Sequence, residues 1–414
     1  MGRKTKAKGR AAGSGAARAA AAGREAALKE FDSHFHKAYG ERWPELRSAL
    51  AMPVEHVAWL NPFATPAASV AADSWRTYAH ADSGCTLIAR NEPTAPMPSP
   101  ALVSSCAATE QLSSAQVASH YALDGASPLP AIALAPRPGH RVLDMCAAPG
   151  GKTLCLAGQM FHCFWKQTEE ARSTDEPRQP APAAARRLAR GETLLFSNDC
   201  SGPRRARLRR VIDEYVPQLP PSAGAITVTG MDATSWGRGP GAPTWSQLGF
   251  DRILVDAPCS SERHFLHGAE DSMWSRARIK RDAELQGAIV RNAVRLLAVG
   301  GRLVYATCSL AEEENDGVVS KLLAHTQYGA GLALISPFVE LEDSAFAPLL
   351  EGVTRTKCGA LMLPDKSRFG PLYWAVIERR AAPGKAASIA GEAHSPASEG
   401  ASRLADDARV LDTL

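Results

Sequence analysis

The sequence predicts an α/β fold built on a mostly parallel sheet. Three observations carry that expectation. From about residue 140, apolar runs of strand length alternate with segments of helical periodicity. The runs end in acidic or small-residue turns, as strands do where a sheet presents its carboxyl edge. With 45% hydrophobic and 22% charged residues over 414 positions, the chain can bury a sizeable core and is long enough for two or three domains.

The strands follow in order. Arg141–Met145 is a short apolar run, followed by a glycine-rich turn and a helix from about Gly151 to Phe161. Leu194–Ser197, Ala225–Thr229, Arg252–Asp256 and Arg302–Thr307 continue the series. Helical patterns at Arg204–Tyr215, Arg278–Leu297 and Asn315–Leu323 separate them, which implies right-handed crossovers. Ala360–Leu363 and Leu372–Arg379 read as an antiparallel hairpin at an edge, giving seven strands in all.

The rest of the chain divides by composition. Residues 1–24 hold seven cations and no acid, and have too little apolar bulk to fold alone, so they read as a basic disordered tail or targeting segment. Such a segment suits a mitochondrial transit peptide or a nuclear or nucleolar tail. Residues 25–125 read as a helical region and linker. Phe31, Phe35, Ala38 and Tyr39 share one helix face, Trp43-Pro44 opens a second helix, the helical pattern runs to about Leu60, and the proline-rich stretch 85–105 reads as a loop. The chemistry-bearing domain is expected over 126–380. It is interrupted at 166–191 by an exposed insertion with three prolines, five arginines and no aromatic residue, and followed by a disordered tail over 381–414.

Several function classes fall away. No apolar run approaches the roughly 20 residues that span a bilayer, so a membrane-embedded protein is not expected. Nine cysteines without a Cys-x-x-Cys pair suggest neither a disulfide framework nor a zinc ribbon. Cys259, His264 and His267 lack a fourth metal ligand, so no metal is expected. Beyond residue 24 the chain carries 40 basic against 43 acidic residues, so attraction to polyanions must come from local patches. Candidates are Arg204, Arg205, Arg207, Arg209 and Arg210, and the run Arg276, Arg278, Lys280 and Arg281.

The motif that carries most chemistry is Asp144-Met-Cys-Ala-Ala-Pro-Gly-Gly-Lys-Thr153, a strand end, a small-residue turn and a helix start. It lacks P-loop spacing, and Pro149 removes a donor, so it is not a nucleotide phosphate loop. The motif resembles the cofactor loop of the NOL/NOP/Sun family of RNA cytosine-5 methyltransferases. The likeness recurs in order: Asn198-Asp199 and Arg204 after the second strand, Met231-Asp232 after the third, Asp256-Ala-Pro-Cys259-Ser-Ser-Glu-Arg-His264 after the fourth and Thr307-Cys308-Ser-Leu310 after the fifth. It covers roughly residues 125–380. Phe31-Asp32, Trp43-Pro44 and Gly370-Pro371-Leu-Tyr373 are most similar to the mitochondrial ribosomal RNA branch. Ala257, Ser260-Ser261-Glu262 and the 166–191 insertion depart from that branch.

The resemblance implies a Rossmann-like methyltransferase fold that binds S-adenosylmethionine through Cys146, Ala147, Ala148, Pro149, Gly150, Gly151, Lys152, Asp199, Arg204, Asp232 and Asp256. It implies Cys308 as nucleophile, Cys259 in product release and Asp256 against the cytosine. The chemistry demands such a set on its own account. Carbon 5 of cytosine is a poor nucleophile, and addition of a thiolate at carbon 6 activates it. The expected substrate is an unstacked cytosine in RNA, ribosomal by resemblance, with a partner protein or preribosome docked on the 25–60 helices as the expected source of specificity. Transfer RNA is the alternative substrate, and a ribosome-assembly role with dispensable methylation is the alternative function.

Overall fold

A computed structural model describes residues 4–381 apart from 66–74, 80–83, 92–98, 106–115, 174–191, 193, 218–224, 239–248 and 269–273. The chain opens with helices α1 (Lys4–Tyr39) and α2 (Trp43–Ala51). Seven short strands follow: β1 (His56–Leu60), β2 (Ala64–Thr65), β3 (Trp75–Ala79), β4 (Thr86–Arg90), β5 (Leu102–Ser105), β6 (Gln116–Ala118) and β7 (His120–Asp124). The alternating part then runs α3 (Leu129–Leu134), β8 (Val142–Asp144), α4 (Gly151–Ser173), β9 (Leu195–Asn198), α5 (Gly202–Tyr215), β10 (Ile226–Thr229) and β11 (Phe250–Asp256). It continues with α6 (Glu262–Leu266), α7 (Arg276–Leu296), β12 (Leu297–Thr307), α8 (Asp316–Leu323), β13 (Leu332–Ile335), β14 (Thr354–Arg355), β15 (Ala360–Met362), α9 (Pro364–Ser367) and β16 (Leu372–Arg379).

The main sheet has the order β10-β9-β8-β11-β12-β16-β15-β14, with β13 also pairing β16. The five strands read first from the sequence all pair in parallel, and β16 enters antiparallel beside β12. The expected hairpin of the last two strands is present, but β16 is internal to the sheet. Its run Leu372-Tyr-Trp-Ala-Val-Ile377 is buried throughout, which an edge strand with one wet side would not need. Two further strands, β13 and β14, escaped the sequence reading: β13 is an apolar run of only four residues, Leu332–Ile335, and β14 is two exposed residues with no apolar pattern.

Strand order reverses between β8 and β11. Strands added after β8 go one way and those after β11 the other, so the crossovers leave a crevice at these two carboxyl ends. One face of the sheet is covered by α3 and α4 in a cluster that includes Leu154, Leu156, Met160, Val304 and Trp374. The other is covered by α7 and α8, with Ile289, Val290, Val294, Val318 and Tyr305. Ser275 caps α7 by accepting a hydrogen bond from the N–H of Arg278 at 3.2 Å.

The N-terminal hundred residues differ from expectation. Helix ends at Ala51, and His56–Leu60 is a strand. Val57, Ala58 and Trp59 are buried while His56 is exposed, a pattern that antiparallel partners β4 and β7 satisfy better than a helix would. The stretch 85–105, read as a loop from its prolines, contributes β4 and β5; residues 92–98, where three of those prolines lie, are outside the described residues. Together these strands form a four-stranded sheet, β3-β4-β1-β7, and a three-stranded one, β2-β5-β6. The first lies close on α4: a Cβ at Gly158 would come within 2.6 Å of the Gly84 carbonyl oxygen, so both positions need glycine's small profile. At the start, α1 reaches back over the basic segment to Lys4, as the helix propensity of its alanines allows; among its described side chains, from residue 21 on, the first fully buried one is Phe31. The insertion begins as a continuation of α4, which runs to Ser173 rather than Phe161; 174–191 and the tail after 381 lie outside the described residues. No helix among the described residues is long and apolar enough to cross a membrane.

Candidate active site

The carboxyl ends of β8, β9, β10 and β11 each deliver an aspartate: Asp144, Asp199, Asp232 and Asp256. Asp144 is fully buried. Its Oδ2 accepts a hydrogen bond from Thr153 Oγ1 at 2.7 Å, which ties the strand end to the first turn of α4, while Oδ1 has no partner. Burial lifts its carboxyl to about 7, and the charges of Asp256 and Asp199 add to that.

Between Asp144 and α4 the chain turns through Cys146, Ala147, Ala148, Pro149, Gly150 and Gly151. Ala147 and Ala148 are buried against Leu208 of α5. Gly150 has φ +122, and a Cβ there would meet Val211 at 2.9 Å, so the turn needs glycine on both conformational and steric grounds. Burial pushes the Cys146 thiol well above its ordinary range, which leaves it a neutral part of the turn. Asn198 holds three loops together: its Nδ2 donates to the carbonyls of Met145 and Met231, and its Oδ1 accepts from Thr229 Oγ1 and Met231 N. Asp199 is buried and accepts from Ser201 N at 2.9 Å. Arg204 reaches Asp199 Oδ2 at 3.5 Å and donates to the Ala148 carbonyl at 2.7 Å, so it braces the turn from outside. Asp232 is exposed and engaged with Thr234, whose N–H and hydroxyl both donate to its Oδ1 at 2.8 Å.

Lys152 and Asp256 close the crevice. Lys152 Nζ lies 2.7 Å from Asp256 Oδ2 and 3.0 Å from Ser127 Oγ. Burial alone would lower the ammonium, but the Asp256 carboxylate outweighs it and holds the lysine charged.

The two cysteines of the fourth and fifth strand ends meet here. Cys259 Sγ and Cys308 Sγ are 3.1 Å apart, both free thiols, and Ser261 Oγ lies 3.5 Å from the first and 3.3 Å from the second. A hydrogen bond from Cys259 favours the thiolate at Cys308 and pushes its ionisation down; the same bond, with burial, drives Cys259 well up. Of the two sulfurs, Cys308 is therefore the one favoured as thiolate. Cys85, Cys155 and Cys358 are buried away from this cluster, Cys200 is exposed, and Cys106 and the side chain of Cys163 lie outside the described residues.

Sequence reading gave no role to Ser127, Ser261, Arg263 or the acids beneath the cysteines, marking Ser261 and Glu262 only as departures from the branch. Arg263 lies 3.5 Å from Asp124, donates to the Gly370 carbonyl and contacts the Leu50 carbonyl at 3.4 Å. His267 contacts Leu50 O at 3.0 Å, so it serves as a brace. No group of three or more metal-ligating side chains occurs among the described residues.

The donor set suits a cationic cofactor. Four carboxyl groups stand at these strand ends; Lys152 is paired with Asp256, Arg204 lies 3.5 Å from Asp199, and the buried Asp144 Oδ1 is an acceptor without a donor. An ammonium or sulfonium centre relieves such a cluster, and a phosphate would aggravate it.

A profile described as "16S rRNA methyltransferase RsmB/F" matches residues 131–233 and 194–330. The 5-cytosine rRNA methyltransferase NSUN4 of Bos taurus is 32% identical over 379 residues, covering 84% of this chain and 87% of that one. The mitochondrial tRNA (cytosine(34)-C(5))-methyltransferase of Mus musculus is 30% identical over 363 residues, covering 85% and 90%. Among solved structures, a methyltransferase homolog protein from Pyrococcus horikoshii has a TM-score of 0.52 at 20% identity, over 82% of this chain and 92% of that one, a likeness of fold. The chain belongs to the RsmB/F-type RNA cytosine-5 methyltransferases.

Proposed function

We propose that the protein transfers a methyl group from S-adenosylmethionine to carbon 5 of a cytosine in ribosomal RNA, through a covalent bond between Cys308 and carbon 6. The observation that carries this reading is the thiol pair: one sulfur is favoured as thiolate by the other, at the crevice where Asp256 and Lys152 stand.

S-adenosylmethionine would supply the methyl from its sulfonium sulfur, held by the 146–152 turn, with Asp199 on the ribose hydroxyls and Asp232 toward the adenine. Arg204 supports Asp199 and the turn rather than reaching past them. The Cys308 thiolate adds to carbon 6 as ring nitrogen N3 takes a proton, which Asp256, interacting with the pyrimidine beside Lys152, delivers as the acid. Carbon 5 then takes the methyl. Loss of the carbon 5 proton, assisted by Cys259, re-forms the double bond and expels Cys308 as thiolate.

The Bos taurus relative named for ribosomal RNA supports that substrate, and the Mus musculus relative named for transfer RNA supports the second reading. The mitochondrial name of the latter and the acid-free basic N-terminus support a mitochondrial location, with the nucleolus as the rival.

The test is an asymmetry between the cysteines. Cys308→Ala should abolish both methylation and any denaturant-resistant adduct with RNA. Cys259→Ala should accumulate that adduct when cofactor is present, because losing the releasing group strands the intermediate. Adduct in Cys308→Ala but not in Cys259→Ala would reverse the two roles, and undiminished methylation in both variants would end the mechanism.

A further inference from the structure

Beneath the two cysteines lies a pair of acids that the reaction does not consume. Glu262, at the start of α6, and Glu314, in the turn Glu312–Glu314, are both fully buried, although Glu312 and Glu313 beside the latter are exposed. Their Oε1 atoms converge on the same two hydroxyls. Ser260 Oγ contacts Glu262 Oε1 and Glu314 Oε1; Ser309 Oγ lies 3.3 Å from the first and 3.0 Å from the second; and the hydroxyls are 3.1 Å from each other. The Oε2 atoms hold backbone: Leu310 N donates to Glu262 at 3.0 Å and Ser260 N to Glu314 at 3.1 Å. Gln286 Nε2 donates to Glu314 Oε2 at 2.7 Å. Ser260 follows Cys259 directly, and Ser309 follows Cys308.

Proton counting argues for an added proton. Each serine hydroxyl has one hydrogen and a carboxylate has none. Two hydrogens cannot serve the five oxygen–oxygen contacts of this cluster, and no cation is among the hydrogen-bond partners of either acid. Other titratable groups that act on the pair or feel its charge are the Tyr39 and Tyr305 phenols and the two cysteines, none of them cationic. Two bare carboxylates here would repel each other with only neutral donors to offset their charge.

We propose that Glu262 and Glu314 share one proton and together act as a positioning pair that clamps the loops carrying Cys259 and Cys308, so that ionisation of the pair sets the alkaline limit of methylation. Burial, reinforced by Glu314, lifts Glu262 to about 7, and burial raises Glu314. Both shifts are upward, so the added proton favours the folded state below the ordinary carboxylate range, and that contribution is lost as pH rises through neutrality.

The dependence of the activity on this pair rests on the methyltransferase reading; the proton itself does not, and the two are measured separately. Glutamine at position 314 keeps an acceptor for Ser260 N and Gln286 and places an amide donor where the shared proton would lie, so Glu314→Gln imitates the protonated state at every pH. Infrared difference spectra of glutamate-labelled protein just below neutral pH should show a protonated-carboxyl band in the wild type that is missing in Glu314→Gln. In methylation assays, wild-type activity should fall by about tenfold per pH unit on the alkaline side. Glu314→Gln should keep its activity there, with the acidic limb unmoved. Glu314→Ala, which removes the acceptors, should lose activity at all pH values, and Glu262→Gln repeats the test should Glu314→Gln fail to fold. A wild-type spectrum without the band overturns the shared proton. An alkaline limb unchanged in both glutamine variants overturns the positioning role.

Discussion

Two thiols 3.1 Å apart cannot ionise independently, and the arrangement around them decides which does. Cys308 accepts from Cys259 and from Ser261, while Cys259 sits deeper, at 8% exposure. The same division of labour marks the acids. Asp199 is buried with one oxygen taken by Ser201 N and the other only loosely met by Arg204, so it retains acceptor capacity for ribose hydroxyls. Asp199→Ala should weaken S-adenosylmethionine binding by about 1.5–3 kcal/mol, the scale of a charge-assisted hydrogen bond. Calorimetry on the folded variant checks this, and an unchanged affinity would remove Asp199 from the cofactor site. Asp199→Asn, which keeps the acceptor for Ser201 N, separates the lost charge from a disturbed turn.

At the scale of elements, the N-terminal helices form part of the site's support. Phe31, Phe35 and Trp43 of α1 and α2 pack with Phe265, beyond the Pro-Cys loop, and with Trp274; Phe31 lies 5.1 Å from Phe265 and 5.3 Å from Trp274 between ring centroids. Hydrogen bonds follow the same path, with Tyr39 Oη donating to Leu310 O at 2.8 Å and Arg24 to Phe265 O at 2.9 Å. The helix pair thus presses on both cysteine-bearing loops from behind. Phe31→Ala, at a fully buried ring, should cost about 3–5 kcal/mol in chemical denaturation. It should also lower methylation at temperatures where the protein remains folded. A loss below 1 kcal/mol would mean that α1 is not anchored as a unit of the fold.

For the whole molecule, charge is divided between a basic N-terminal segment and a body with a slight acidic excess. The arginines of α5 beyond Leu208, Arg209 and Arg210, are exposed, so they remain available for phosphate contacts whose strength falls with salt. We propose that the basic N-terminal segment directs location. Fusing about the first 40 residues to a fluorescent protein should direct it to mitochondria. An exclusively nucleolar signal would transfer the substrate reading to nuclear RNA.

The sequence alone determined the order of strands and helices, because parallel strands buried on both faces must be continuous apolar runs and their crossovers must be helical. It also determined which residues stand at the strand ends, since a turn that brings backbone to a ligand needs small residues, and reactive groups there are read directly from a short motif. It misread β1, β4 and β5, whose five residues or fewer gain stability from partners far along the chain rather than from local pattern. Only the tertiary structure decided that Cys259 and Cys308, 49 positions apart, meet at 3.1 Å, and that Lys152 pairs with Asp256 across 104. The same is true of Glu314. In the run Glu312-Glu313-Glu314 it reads as one more solvated charge, and it becomes a buried partner of Glu262 only because the Pro-Cys and Thr-Cys-Ser loops fold against each other. Burial and proximity belong to the packed chain, and they fix the charge that each of these groups carries.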